Sequence, residues 1–257
     1  MIKLRKKQSL KKYRLKILVL CFWLLLWEIV SRIIGHEILL ASPIAVLGAL
    51  FELVTTMDFW LAIYFSSIRI IAGFVLALFF GALLASCAYK LSLVKEFITP
   101  IIKIIQAMPV ASFIILALIW IKAKNLSVLV SFFMVMPLIY TNILKGLETA
   151  DEKLLQLAKV FRLGKLKRMR AIYLPAVKPH FIAAVSVGMG LCWKAGIAAE
   201  VIAIPVGSIG SQLYEAKLYL MTKELFAWTI VIIMISILFE KAILLLLGIL
   251  QRREVSK

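Results

Sequence analysis

Acidic residues are scarce in this chain, with 13 Asp and Glu against 31 Lys and Arg in 257 residues, and charge of either sign makes up only 17%. Histidine is scarcer still. His36 and His180 are the two examples and fall on opposite sides of the apolar pattern, so no cluster of His, Asp or Glu marks the catalytic face of a lipid or isoprenoid enzyme. Cys21, Cys87 and Cys192 lie in or beside apolar stretches and form neither a CxxC nor a secreted disulfide pattern, so all three are expected as small buried hydrophobic residues. No Gly-rich turn ends in Gly-Lys-Ser or Gly-Lys-Thr, which excludes the usual phosphate cradle of an ATPase. No small-residue cleavage site follows Ile17–Val30 before Arg32, so this run reads as a retained span and not a removed signal. The basic residues do not alternate with aromatics along a stripe, which argues against nucleic acid.

What the chain has in abundance is apolar sequence, 63% by count, in blocks long enough to cross a bilayer. The expectation is an all-α integral membrane protein with about six transmembrane helices, at 17–34, 59–88, 97–121, 126–144, 181–202 and 225–249. With the N-terminus inside, 22 basic residues fall on inner segments and four on outer ones, which places both termini in the cytoplasm. The resulting division is a basic cytoplasmic N-terminus 1–16, a first span 17–34, an outer segment 35–58, a core transmembrane domain 59–250 and a cytoplasmic tail 251–257.

In the first outer segment Ser42 and Pro43 precede an apolar run to Val54, the pattern of a capped interfacial helix. In the second, Gly207, Ser208, Ile209 and Gly210 suit a tight turn or re-entrant dip before a helical stretch 212–219. Pro109 and Pro137 fall inside expected spans, where each removes a helix hydrogen bond and favours a bend. Gly188 and Gly190, with Ala184 one turn earlier, permit close helix approach.

Ionisable groups in hydrocarbon need a partner or a water-lined path. Lys194, at mid-depth of its span, is a candidate to meet an anion, with structural pairing to Glu240 or to a helix carbonyl as the alternative. Glu200 either lines the outer gate or holds Arg69, which starts from the same face. Trp193 is deep enough to touch substrate or a partner subunit.

Between the fourth and fifth spans, Lys145 to Lys178 carries nine Lys and Arg. Leu154, Leu155, Leu157, Ala158 and Phe161 recur at helical spacing, with Asp151 and Glu152 at the start, where a helix N-terminus favours negative charge. A short amphipathic helix is expected over 151–162, with Leu155 and Phe161 outward, seated either in the groove of a soluble partner or against lipid. Gly164 would supply the turn into a second basic helix, 165–173, ended near Pro175.

That segment resembles the cytoplasmic loop of importer permeases of the ATP-binding cassette class. Anchored on Leu174 and Pro175, the glutamate of the family pattern falls on Gln156, its two alanines on Leu157 and Ala158, and its glycine on Arg162, so three of four positions depart from the pattern. The rest of the chain resembles the nitrate, sulfonate and taurine branch of these permeases. The residues that carry this are Ser66 to Phe74, Met108 and Pro109 followed by Ala117 to Trp120, Pro137 to Asn142, Gly146 and Leu147, and Gly190, Trp193, Ala199 and Glu200.

The resemblance implies a type I importer permease fold in a bacterial cytoplasmic membrane. It implies a homodimer, or occasionally a heterodimer, of permeases with two cytoplasmic ATPase subunits and an extracytoplasmic solute-binding protein, with ATP and Mg on the ATPases and no cofactor or metal here. Coupling would fall to Leu154, Leu155, Gln156, Leu157, Ala158, Phe161, Arg162 and Gly164, and the translocation path or gate to Arg69, Met108, Trp193, Lys194, Glu200 and Gly207. The implied cargo is a small anion such as an organosulfonate, taurine or nitrate. Vitamins or pyrimidine precursors are the alternative, and a membrane enzyme or scaffold is the reading from another class.

Overall fold

The computed structural model describes residues 2–255, with side chains from Leu15 to Leu245; the side chains of the basic stretch 1–14 and of the 251–257 tail lie outside the described residues. Among the described residues every regular element is helical.

α1 (Ile2–Ile34) contains neither Gly nor Pro and ends at Gly35, whose φ of +67° turns the chain out of the helix. α2 (Pro43–Val54) starts as the Ser42-Pro43 pair anticipates: the Ala45 N–H donates to Ser42 Oγ at 3.2 Å, and the Pro43 ring sits where a helix needs no donor. α3 (Met57–Lys90) is 34 residues long, roughly 50 Å of helix, against about 30 Å of bilayer hydrocarbon.

The expected third span is not one helix. It divides into α4 (Ser92–Ala107) and α5 (Val110–Ala117), inclined at 102° to each other. The cause is local: Pro109 has no N–H to donate, and its ring excludes the residue before it from helical geometry, so Met108 is extended at φ −73° and ψ 128°. Pro137 causes no such break in α6 (Ala123–Glu148).

α7 (Glu152–Val160) and α8 (Lys165–Arg168) follow. The basic helix does not stop at Pro175. A π turn over Met169–Tyr173 joins α8 to α9 (Leu174–Ala203) as a 39-residue helix. In the wider turn Leu174 N–H donates back to Met169 O, so the helix passes the proline, which would otherwise clash with the preceding turn. α10 (Ile209–Leu218) and α11 (Thr222–Val255) complete the chain. Among the described residues five helices are long and apolar enough to cross a membrane, and the bent α4 and α5 pair makes a sixth if counted as one span.

The chain forms two compact units. The first comprises residues up to Trp60 together with Gln212–Val231. Its core gathers Ala41, Val46, Ala49 and Ala227, flanked by Trp27 and Phe226, and the Trp27 indole N–H donates to Ala41 O at 3.1 Å. The second comprises Leu61–Ser211 and residues from Ile232 onward. It is built on the α6 and α9 pair, with Ile114, Ala117, Leu126, Val130, Ala195 and Ala199 forming one buried cluster.

Small residues make this packing possible. A Cβ at Gly196 would come within 2.6 Å of Ile70 Cγ1, and one at Gly73 within 2.7 Å of Ser131 Cβ. Gly188 does lie close to Val135, but Gly190 has nothing within 4 Å of a Cβ, so the expected pair contributes one close approach. Of the cysteines expected to be buried, Cys192 is, Cys87 is half-buried, and Cys21 is exposed on α1, whose apolar surface lies almost wholly uncovered.

Candidate functional site

Two groups of residues stand out, one on α7 and one where α3, α9 and the start of α10 meet. α7 begins where Asp151 accepts the Lys153 N–H at 2.8 Å. It ends in a Schellman motif, in which Leu163 N–H donates to Ala158 O at 2.9 Å and Arg162 N–H to Lys159 O at 3.1 Å.

The left-handed residue of that motif is Arg162, at φ +50°. Gly164, expected to supply the turn, is extended at φ −62° and ψ 155° and precedes α8. The turn has therefore stayed at the position where the family pattern has glycine, and an arginine occupies it against the steric preference of an L side chain. Arg162→Gly is expected to stabilise the loop by about 1 kcal/mol. The measurement is the midpoint of thermal unfolding of the purified protein, and an unchanged or lowered midpoint would show that the arginine side chain offsets the strain.

Both ends being fixed, the faces of α7 are set. Leu155 is half-buried against Ala150, Ala158 and Ile172, so the outward orientation expected for it is wrong: it anchors the helix to the π turn. Leu154, Leu157, Val160 and Phe161 point away from the protein, with Phe161 72% exposed. Gln156 is also exposed, and Ala158 is buried. Period alone could not distinguish these faces, because apolar residues occupy most of the circumference.

The second group centres on Glu200, which has no exposed surface. The Ser66 hydroxyl donates to Glu200 Oε2 at 2.6 Å and itself accepts the Ile209 N–H at 2.9 Å; the Gly210 N–H reaches the same carboxylate oxygen at 3.4 Å. Arg69, on α3 one turn from Ser66, brings Nη1 to 3.7 Å from Glu200 Oε1, and its guanidinium carbon lies 5.9 Å from the Phe65 ring centroid. The Arg69 and Glu200 pair anticipated from the charge pattern is thus present, as a charge contact without a hydrogen bond. Two neutral donors, the Ser66 hydroxyl and the Gly210 N–H, and one cation offset the several kcal/mol that an unpaired buried carboxylate costs. Ser66 carries half of this network; in the sequence it was named only among the residues that carry the family resemblance and not as a partner of Glu200. A signal was present in its serine pair, Ser66-Ser67, in an otherwise apolar run.

The other expected path residues are scattered. Gly207 lies in the turn between α9 and α10 at φ +70°. Met108 marks the bend between α4 and α5. Trp193 is 1% exposed and stacks against Phe239 at 5.5 Å, so it is a core side chain and not an exposed surface for substrate. Lys194 is exposed. Its expected structural alternative, Glu240, instead accepts a hydrogen bond from Ser186.

Residues 73–255 match the family described as binding-protein-dependent transport system inner membrane component. The chain is similar over 94% of its length to the SsuC transport permease protein of Bacillus subtilis, named for aliphatic sulfonates, at 22% identity and covering 89% of that protein. It is 24% identical to the nitrate import permease protein NrtB of Synechococcus elongatus, with 82% of this chain and 79% of NrtB covered. It is also 24% identical to the taurine transport system permease protein TauC of Escherichia coli, with 88% and 83% covered. Among solved structures, a crystal structure of an amino acid ABC transporter with histidines superposes with a TM-score of 0.54 at 18% identity, covering 75% of this chain and 94% of that one.

Proposed function

Because this chain belongs to the family of binding-protein-dependent transport system inner membrane components, and so is an ABC transporter permease with several membrane spans, we propose that it imports a small anion of the sulfonate, taurine or nitrate kind. A solute-binding protein delivers the anion outside, and two cytoplasmic ATPase subunits, which hold ATP and Mg, drive the cycle. Two copies of the permease enclose the path. Both termini lie in the cytoplasm, following the distribution of basic residues. The relatives named for sulfonates, nitrate and taurine support the cargo class.

The observation that carries this reading is the exposed apolar face of α7. Leu154, Leu157 and Phe161 are spaced as anchors for a groove, on a helix fixed at both ends between the two longest-packed spans, α6 and α9. Closure of the ATPase pair on ATP moves α7, and α7 bears on the π turn through Leu155 and Ile172, which passes the movement into α9. The spans then open alternately to the two sides, and no bond in the cargo is made or broken.

Gentle affinity purification of the subunit from its native membrane, with mass spectrometry of what remains bound, tests the assembly. Recovery of an ATPase and a solute-binding protein is the expected result; an intact preparation lacking both sinks the importer reading. Lys194 is proposed to meet the anion on the path. Lys194→Ala is expected to lower uptake by about tenfold in reconstituted vesicles while leaving assembly intact, the loss of one charge-assisted contact. Unchanged uptake would remove Lys194 from the path.

A further inference from the structure

The first turn of α10 is held in an unusual way. A helix start leaves its first N–H groups without intrahelical partners, and neighbouring side chains generally satisfy them. Here Ser208 does so for one, accepting the Ser211 N–H at 3.0 Å. The other two are satisfied from distant elements: Ile209 N–H by Ser66 of α3, and Gly210 N–H by Glu200 of α9. Ser208 and Ile209 are fully buried. A Cβ at Gly210 would collide with the Glu200 side chain and backbone, so only glycine permits this approach. The chain reaches the position by two left-handed residues, Ile204 and Gly207.

We propose that Glu200 and Ser66 are positioning residues for α10, forming a polar latch that ties the first turn of this helix to both α3 and α9 and opens when those two helices separate. The inference rests on the transporter reading, in which α3 and α9 move during alternating access. Ser66 is the shared element, because its single hydroxyl accepts from α10 and donates to α9. Moving α3 therefore breaks both bonds together. Apolar packing would fasten the turn without placing a charge in the membrane. A carboxylate held by two hydrogen-bond donors and a loose 3.7 Å ion pair is instead suited to exchange partners.

The test uses the full complex in nanodiscs and follows amide hydrogen exchange over residues 205–211 in the native chain, Ser66→Ala, Glu200→Leu and Glu200→Gln. Ser66→Ala and Glu200→Leu are expected to speed exchange at Ile209 and Gly210 by about tenfold, the loss of one buried hydrogen bond. Glu200→Gln keeps an acceptor oxygen and is expected to stay near the native rate. In the same preparations, uptake per ATP hydrolysed should fall by about fivefold or more in the first two variants, with ATPase attachment unchanged.

Native exchange in Ser66→Ala overturns the latch. Faster exchange with an unaltered uptake ratio also overturns it, reducing the contact to a structural fastening. Should Glu200→Leu fail to assemble, Ser66→Ala decides alone. A native complex without ATP-driven uptake would defeat the transporter reading, while the exchange rates would still decide whether the fastening exists.

Discussion

Gly73→Leu is expected to destroy the folded protein, whereas Gly190→Leu, an identical change on a neighbouring span, is expected to leave it intact. At Gly73 a Cβ would strike the Val128 carbonyl oxygen and the Ser131 side chain, and the obstacle is α6 backbone, which cannot rotate away. Separating α3 from α6 would also pull Ile70 out of contact with Gly196 and Cys192, whose thiol reaches Ile70 O at 3.4 Å. The cost is roughly 3 kcal/mol or more, a large fraction of a typical domain's stability. At Gly190 nothing lies within 4 Å of the added carbon, and the expected change is within about 0.5 kcal/mol. Fluorescence-detected size exclusion of detergent extracts after a heating series separates the two. A monodisperse, heat-resistant Gly73→Leu protein would show that the α3 and α6 crossing is looser than described.

The second large effect concerns α7. Leu157→Asp and Phe161→Asp place a charge on the exposed apolar face and disturb nothing inside the protein, since Leu157 is 50% and Phe161 72% exposed. Each is expected to weaken ATPase attachment by about a hundredfold, the cost of losing an anchor at the centre of an interface. Leu155→Asp is expected to lose attachment by another route. Its carboxylate would sit among Ala150, Ala158 and Ile172, and the segment 151–173 would become protease-sensitive. Co-purification of the ATPase, read beside limited proteolysis, distinguishes a damaged surface from a damaged scaffold. Native co-purification of both exposed-face variants would eliminate α7 as the docking element.

Where chemistry acts over a few residues, the sequence was readable. Ser42 and Pro43 announced α2, Asp151 announced α7, and the opposite charges of Arg69 and Glu200 announced their pair, because a charge in an apolar span needs a counter-charge. What could not be read depended on the neighbours of each element. Leu155 and Leu157 are the same residue type on the same short helix, and only the π turn beneath determines which is covered. Arg162 adopts a glycine's conformation because the Schellman hydrogen bonds and Leu163 packing outweigh its own preference. The broken α4 and α5 pair was half visible: Pro109 signalled a bend, but its 102° size comes from the whole helix path and not from one dipeptide. The role of Ser66 as a partner of Glu200 went unexpected because a serine inside a span is ordinarily satisfied by its own helix backbone.

The π turn over Met169–Tyr173 also governs which length changes the chain tolerates. Each residue in an α-helix rotates everything before it by about 100° and advances it by about 1.5 Å, so a one-residue deletion in α9 would turn its buried face away from α6. The π turn already carries one surplus residue relative to an α-helical turn. It is therefore the place in this 39-residue rod where, with Pro175 replaced by a residue that fits a regular turn, a single residue can be dropped while α9 keeps its register on α6. A lineage of such chains that lost one residue here together with Pro175 would keep its membrane core and its docking helix, and would differ in that proline and in having a regular turn where this chain has a wide one.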